Sequence, residues 1–157
     1  MLIELTPAQV LQAAQAGIMR QTYAIRQKLK PAYGASTKND WQLHVEGCLG
    51  EMVVAKYLDR FWDGTVGITQ HGDVGRIEVR TRSQDNYDLI VHDRDPDDST
   101  FILVTGRNGA YNIRGWIRGE EAKQDRFWSD PAGGRPAYFV PQDALIEIEK
   151  LYLSLNV

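Results

Sequence analysis

The chain has 157 residues, of which 43% are hydrophobic and 25% charged, and its formal net charge is −3. This composition is that of an ordinary globular protein and argues against a disordered, collagenous or coiled-coil chain. No run approaches the roughly 20 apolar residues that a membrane span needs, so we expect no membrane partner. The single cysteine permits no internal disulfide, and the first residues lack a secretory-signal pattern, so we expect a cytoplasmic protein.

Charge is unevenly distributed along the chain. No acidic residue occurs between Leu5 and Asn39, whereas five cations do: Arg20, Arg26, Lys28, Lys30 and Lys38. Such asymmetry indicates a polyanion-binding arm on an otherwise acidic chain. The competing interpretation is a solvated helix face whose acidic partners come from elsewhere in the fold.

The first part of the chain predicts two helices. Thr6 and Pro7 form a start signal, an N-cap followed by proline, and apolar spacing predicts a helix that ends before Pro31. Asp40 predicts the N-cap of a second helix that extends to about Leu58. The loop between the helices, residues 31–39, joins a basic arm to the rest of the chain.

The rest of the chain predicts mainly strands. Asn108-Gly109 is a strong signal for a tight hairpin, and the acidic run 93–99 predicts an exposed turn. A short helix is predicted over 120–124 and a closing helix over 142–153. The predicted strands lie at 65–69, 76–82, 87–92, 101–105, 110–117 and 137–140.

This order of elements predicts an α/β fold of the mixed α+β kind. We divide the chain into a basic N-terminal helix and linker over 1–39, part of or appended to the fold, and a domain over 40–157. No internal repeat or low-complexity tract interrupts either part.

Four charged residues predict a metal-dependent phosphodiesterase site. Asp73 lies in a glycine-rich turn that leads into the strand with Glu78 and Arg80, and side chains two apart on a strand share one face. Glu51 lies among apolar helix residues, where a carboxylate must be paired or bind a metal. Carboxylates bind hard divalent ions, which polarise a phosphate and activate water. The alternative is an ordinary strand with one solvent face and one core face.

The order of these motifs resembles the PD-(D/E)xK nuclease superfamily, in particular small phage-type, restriction-endonuclease-like and RecB-like members. The resemblance covers roughly residues 40–155. It implies a central mixed β-sheet flanked by helices, with the basic N-terminal helix as an addition, and it implies nuclease activity. The segments that carry it are 47–51, 72–75, 77–81, 115–119 and 138–141.

The resemblance also implies roles for individual residues. Glu51, Asp73 and Glu78 would bind Mg²⁺ or Mn²⁺, with Glu46 as an alternative ligand on the same helix. Asp73, Glu78 and Arg80 would form the catalytic set, although the family usually has lysine at the position of Arg80. Arginine keeps its charge and cannot act as a general base, but it can still orient a phosphate.

Three functions follow as hypotheses. The first is a Mg²⁺-dependent nuclease acting on DNA, with RNA as the open alternative. The second is a nuclease-like fold that only binds nucleic acid, and the third is a protein-interaction module. Because related nucleases often pair, the resemblance also implies a possible homodimer. The residues predicted to contact nucleic acid are Arg20, Arg26, Lys28, Lys30, Lys38 and Arg82.

Overall fold

The computed structural model of the protein describes residues 1–30, 39–67 and 71–155. Over these ranges the chain forms four α-helices and two β-sheets, which confirms the mixed α+β class. None of these described helices has the length and apolar character that crossing a membrane requires. In chain order the elements are β1 (Leu2–Glu4), α1 (Pro7–Arg26), α2 (Asp40–Tyr57), β2 (Ile77–Arg82), β3 (Leu89–Val91), β4 (Thr100–Arg107), β5 (Ala110–Arg118), α3 (Gly119–Ala122), β6 (Trp128–Ser129), β7 (Ala137–Val140) and α4 (Ile148–Leu155).

The larger sheet holds four strands in the order β1-β5-β4-β2. It is a mixed sheet, because β2 runs parallel to β4 while the other pairings are antiparallel. The β4–β5 hairpin turns at Asn108 and Gly109, whose φ angles of 58° and 89° confirm the predicted tight turn. β2 is at the edge of this sheet, and its alternation directs Val79 to the core and Glu78 and Arg80 to the opposite face.

Helices α1 and α2 cover one face of the larger sheet. Thr6 Oγ1 accepts a hydrogen bond from the Gln9 N–H, and the Gln9 side chain accepts one from the Thr6 N–H, so a capping box starts α1 at the predicted residue. Three of the four buried residues of α1 are small: Ala13, Ala16 and Gly17. A Cβ atom at Gly17 would lie only 2.5 Å from the Val45 Cα atom, so the helices cross too closely for a larger residue there.

The main hydrophobic core lies between these helices and the larger sheet. Cys48 and Val53 of α2 are fully buried in it, as are Ile102 and Val104 of β4. Ala13 of α1 belongs to the same core, and β1 pairs with β5. The N-terminal segment therefore packs as part of the fold in this structure.

A second sheet of three strands, in the order β3-β7-β6, packs on the other side of β4. Phe101 and Leu103 contribute to the apolar cluster on that side, and they alternate with the β4 residues of the main core. β4 is therefore buried on both faces, which explains its almost continuous apolar sequence. Leu89 and Val140 complete the cluster from the second sheet.

Several element boundaries differ from the predicted ones. α1 ends at Arg26 because the chain turns at Lys28, which has a φ angle of 53°. The N-cap of α2 is Asn39, with Asp40 as the first helical residue. The closing segment is a short 3₁₀ helix, Gln142–Ala144, followed by α4. The short strands β1 and β6 had no periodic signal long enough to predict them.

The strand predicted over 65–69 is wrong for residues 65–67, which form no strand, and residues 68–69 lie outside the described ranges. The Thr65 N–H donates to Asp63 Oδ1 at 3.2 Å, and the Thr65 carbonyl accepts from Arg20 Nε at 2.9 Å. The backbone N–H and carbonyl of Thr65 thus both have hydrogen-bond partners in a loop that lies against α1, and neither is paired with a neighbouring strand.

Candidate functional site

The turn at 72–75 holds Asp73 beside β2. The chain reverses direction there, and an antiparallel bridge between Val74 and Ile77 closes the turn. Asp73 Oδ2 accepts a hydrogen bond from the Val79 N–H at 2.7 Å. Since Val79 lies between Glu78 and Arg80, this bond fixes the Asp73 carboxylate next to the strand segment that carries both of them.

Burial and neighbouring charge oppose ionisation of Asp73 and Glu78. Burial and the charge of Glu51 raise the pKa of Asp73 to about 6, although the hydrogen bond from Val79 works in the other direction. Burial and the charge of Asp73 raise the pKa of Glu78. The structure therefore brings the three predicted carboxylates within electrostatic reach of one another. A cation bound between such groups would relieve their repulsion.

Arg80 is held by carboxylates at the same place. Its Nη2 donates to Asp95 Oδ2 at 2.9 Å, and its Nη1 donates to Glu78 Oε2 at 3.4 Å. The guanidinium also lies 5.1 Å from the centre of the Phe101 ring. Burial lowers the pKa of Arg80, but the charge of Asp95 and its hydrogen bond outweigh burial and raise it. Arg80 is a fixed and permanently charged group beside Glu78.

Asp95 is a site residue that the sequence did not single out. The sequence predicted an exposed turn over 93–99, and this prediction is wrong for Asp95, which is only 8% exposed. Lys123 Nζ donates to backbone carbonyls of this loop and pairs with Asp97 at 2.7 Å, which folds the loop inward. Asp95 can be buried because its carboxylate pairs with the charge of Arg80. Arg80 lies fifteen residues earlier in the chain, and no sequence spacing rule connects the two.

Glu51 lies inside a hydrogen-bonded network. It is 4% exposed, and Arg20 Nη1 and Nη2 donate to its two oxygens at 2.6 Å and 2.9 Å. Trp62 Nε1 donates to Glu51 Oε2 at 2.9 Å. Such a two-pronged contact between a guanidinium and a carboxylate is among the strongest pairings in proteins. Glu51, predicted as a metal ligand, therefore joins α1 to α2 in this structure, and Arg20, predicted to contact nucleic acid, is turned inward.

Glu46, the alternative helix ligand, faces a different part of the molecule. It accepts hydrogen bonds from the Tyr111 hydroxyl and from the Asn108 N–H, the latter at 3.3 Å. These contacts tie α2 to the β4–β5 hairpin. They give Glu46 a structural role away from Asp73 and Glu78.

An open groove of about 820 Å³ runs along the outer edge of β2. Glu78, Arg80 and Arg82 of β2 line it, as do Ile90 and Phe139 of the second sheet. A concave site with an apolar wall and a few convergent polar groups is the usual form of a ligand site. The groove places Glu78 and Arg80 at a surface that a substrate could reach, whereas Asp73 is not among its lining residues.

The cations predicted to contact nucleic acid lie in separate places. Arg82 lines the groove, where its Nη1 donates to the Asp88 carbonyl at 3.0 Å and its guanidinium lies over the Tyr87 ring. Arg20 is occupied by Glu51. Lys38 lies outside the described residues. The remaining three are exposed at the C-terminal end of α1: Arg26, Lys28 and Lys30.

The described side chains offer few donors for a metal ion. Over the described ranges, no group of three or more histidine, cysteine, aspartate or glutamate side chains is placed to hold a metal ion. Glu51 has both oxygens engaged, which leaves Asp73 and Glu78 as donors. Mg²⁺ is commonly bound by one or two carboxylates and completed by substrate phosphate oxygens. The described residues thus form no closed three-carboxylate site, and Asp73 and Glu78 are the two carboxylates that could contribute to a more open one.

In comparisons with known proteins, no family model, curated protein or solved structure matches the chain. The class that the fold defines is mixed α+β, with the candidate site at the edge of the larger sheet. A function can accordingly be inferred only from the residues of the site.

Proposed function

We propose that the protein is a Mg²⁺- or Mn²⁺-dependent phosphodiesterase that acts on DNA, with a site arranged as in PD-(D/E)xK nucleases. One observation carries the proposal. Asp73 and Glu78 are carboxylates whose ionisation is opposed by burial and by a neighbouring carboxylate, which is Glu51 for Asp73 and Asp73 for Glu78. The permanently charged Arg80 donates a hydrogen bond to Glu78 at 3.4 Å. Ionisable groups perturbed in this way occur preferentially at functional sites.

Asp73 and Glu78 would hold the ion, since hard carboxylate oxygens suit Mg²⁺. When bound, such an ion polarises the scissile phosphate and lowers the pKa of water in the site. Arg80 would donate hydrogen bonds to a phosphate oxygen and offset charge that builds there. It transfers no proton, because a guanidinium stays protonated at any relevant pH.

The groove along β2 would hold the nucleic-acid strand. Arg80 and Arg82 would face the phosphates, while Phe139 and Ile90 would face the bases. Basic groups that track the backbone, together with an aromatic side chain on which a base stacks, are a common means of binding single strands. We therefore expect binding to weaken as salt increases, because neutralised phosphates release counterions.

Glu51 and Arg20 would act indirectly in this scheme. Their pairing joins α1 to α2, and the charge of Glu51 raises the pKa of Asp73. We assign Glu51 to that positioning role, so that Asp73 and Glu78 alone would face the ion.

A second function is favoured by the contacts of Arg80. Its guanidinium is already engaged by Asp95 and Glu78, so a phosphate has to compete with two carboxylates for it. A protein that binds nucleic acid without cleaving it would retain this arrangement. Its DNA binding would then survive removal of metal.

Cleavage of end-labelled DNA tests the proposal. Purified protein is incubated with single- and double-stranded DNA and with RNA, in Mg²⁺, in Mn²⁺ and in chelator. We expect cutting that requires metal and falls at least 100-fold in the double variant Asp73→Asn/Glu78→Gln, the scale expected for losing electrostatic stabilisation. The matched control Asp143→Asn/Glu149→Gln removes two exposed carboxylates outside the groove and should cut normally.

The other outcomes separate the candidates. DNA retarded on a gel without any cutting would support the binding protein. Cutting that persists in the Asp73→Asn/Glu78→Gln variant would contradict the assignment of the site. The absence of both cutting and binding would leave the protein-interaction hypothesis.

A further inference from the structure

The second sheet contributes two neighbouring apolar side chains to the groove. Leu89 of β3 and Val140 of β7 belong to the apolar cluster that packs on β4. Because side chains alternate along a strand, Ile90 and Phe139 point the other way, and the two are directly opposite each other in the antiparallel register. Both line the groove and are only partly buried. The groove thus presents an aliphatic and an aromatic side chain side by side.

Charged residues from other elements line the same groove. Arg80 and Arg82 lie on one face of β2, and Arg135 comes from the loop before β7. Glu78 and Asp95 also line the groove, and Arg80 is hydrogen-bonded to both of them. Among the described residues, three arginines thus stand against two carboxylates, whereas the whole chain has a net charge of −3. This small local excess of positive charge suits a ligand that brings only a few phosphates into the groove.

These two sets of side chains favour unpaired over paired nucleic acid. In a duplex the faces of the bases are stacked inside, so a protein meets phosphates, sugars and base edges. Phe139 and Ile90 would then have no apolar partner. In a single strand the faces of the bases are open, and an aromatic side chain can stack on any of them. Affinity for a duplex comes mainly from cations that neutralise phosphates, and this groove offers few.

We propose that the groove binds single-stranded nucleic acid in preference to a duplex, with one base stacked on Phe139. Ile90 packs beside the same base, and Arg82 and Arg135 contact the neighbouring phosphates. Phe139 is therefore the residue that selects unpaired bases. The inference rests on the proposed function in that the groove binds nucleic acid, but it holds whether or not the strand is then cut.

Binding should depend only moderately on salt. Each phosphate neutralised in a single strand contributes about −0.7 to the slope of the logarithm of the binding constant against the logarithm of the salt concentration. The three arginines of the lining therefore limit the slope to about −2. A slope steeper than about −4 would show that phosphates outside the groove carry the binding, and it would contradict the proposal.

Fluorescence anisotropy with a labelled single strand and the matching duplex tests the preference. Wild-type protein is titrated in chelator and the Asp73→Asn/Glu78→Gln variant in Mg²⁺, so that the nucleic acid stays intact in both. The single strand should bind on the order of 10-fold more tightly than the duplex. Phe139→Ala should weaken binding of the single strand by about 5- to 150-fold, the equivalent of one stacked base, and Phe139→Trp should retain it.

Two controls separate stacking from damage to the fold. Phe61→Ala removes an aromatic side chain that is 89% exposed and does not line the groove, and it should bind the single strand normally. A labelled strand with abasic sites throughout keeps its phosphates but offers no base to stack. It should bind weakly to wild type, and Phe139→Ala should weaken it no further.

The outcomes distinguish this inference from the proposed function. Duplex bound as tightly as the single strand, normal binding by Phe139→Ala, or no binding in either condition would each overturn the inference, and metal-dependent cutting of duplex by the wild type would still support the nuclease. Binding of the single strand without cutting would support the inference and contradict the nuclease. Displacement of the strand by polyglutamate would assign the groove to an acidic peptide and overturn the inference.

Discussion

The substitution Arg20→Met is expected to destabilise the protein by about 3–5 kcal/mol, because it leaves Glu51 buried without its partner. Glu51 is 4% exposed, and Arg20 supplies two of the three hydrogen bonds it receives. For a chain of this size the loss corresponds to a fall in Tm of roughly 10 °C or more. Thermal and urea unfolding followed by circular dichroism would measure it.

Two further variants identify the cause. Arg26→Met removes an exposed cation from the same helix and should change stability by no more than about 0.5 kcal/mol. The double variant Arg20→Met/Glu51→Gln removes the buried charge, keeps an acceptor for Trp62 and should recover more than half of the loss. If the double variant were as unstable as Arg20→Met, the damage would come from lost packing and the charge argument would fail.

The substitution Asp73→Asn is expected to stabilise the protein at neutral pH while abolishing metal-dependent activity. Burial and the charge of Glu51 raise the pKa of Asp73 from its ordinary value of 3.8 to about 6, so the ionised form is the unfavourable one in the fold. Asparagine carries no charge and can still accept the hydrogen bond from the Val79 N–H. We expect a gain of about 1–3 kcal/mol at pH 7.5.

The pH dependence of this gain has a definite sign. A carboxyl whose folded pKa is raised contributes stability in its protonated form, present below about pH 4 and lost as the pH rises through about 6. The stability difference between Asp73→Asn and wild type should therefore be small near pH 4 and reach its full value above pH 7. Urea unfolding at several pH values measures it, with Asp143→Asn as an exposed control. A difference that shrinks as pH rises would contradict the electrostatic account.

Such a trade-off is expected of a functional site. A residue that lowers the stability of its own fold is maintained only when its charge is used, and removing that charge commonly stabilises a protein at the expense of activity. Asp73 and Glu78 have raised pKa values, as this trade-off requires, whereas Glu51 is held by two hydrogen bonds from Arg20.

Local patterns in the sequence predicted much of the fold. Thr6 with Pro7 located the start of α1, Asn108-Gly109 located the hairpin, and alternation located β2. These signals depend on neighbouring residues, so they can be seen in the sequence. The pairing of β2 with β4 and the separate second sheet depend on contacts between distant segments, which no local period encodes.

The residues of the candidate site could be predicted from the sequence, but most of their contacts could not. The spacing of Asp73, Glu78 and Arg80 placed them together along one turn and strand, and the structure brings them together there. No local pattern indicated that Arg20 would be the partner of Glu51, or that Asp95 would be the partner of Arg80. Both pairings join residues that lie far apart in the sequence. A buried charge needs a partner, but only the folded arrangement decides which residue that is.

The most direct test of the central claim is a titration of the protein with Mn²⁺, following free Mn²⁺ by electron paramagnetic resonance. The account predicts one Mn²⁺ bound per chain, displaced by excess Mg²⁺ and lost in the Asp73→Asn/Glu78→Gln variant. Arg20→Met/Glu51→Gln should retain the site, because Glu51 is assigned no ligand role. Absence of binding to the wild-type protein, or binding that the Asp73→Asn/Glu78→Gln variant retains, would contradict the proposed metal site and the nuclease function built on it.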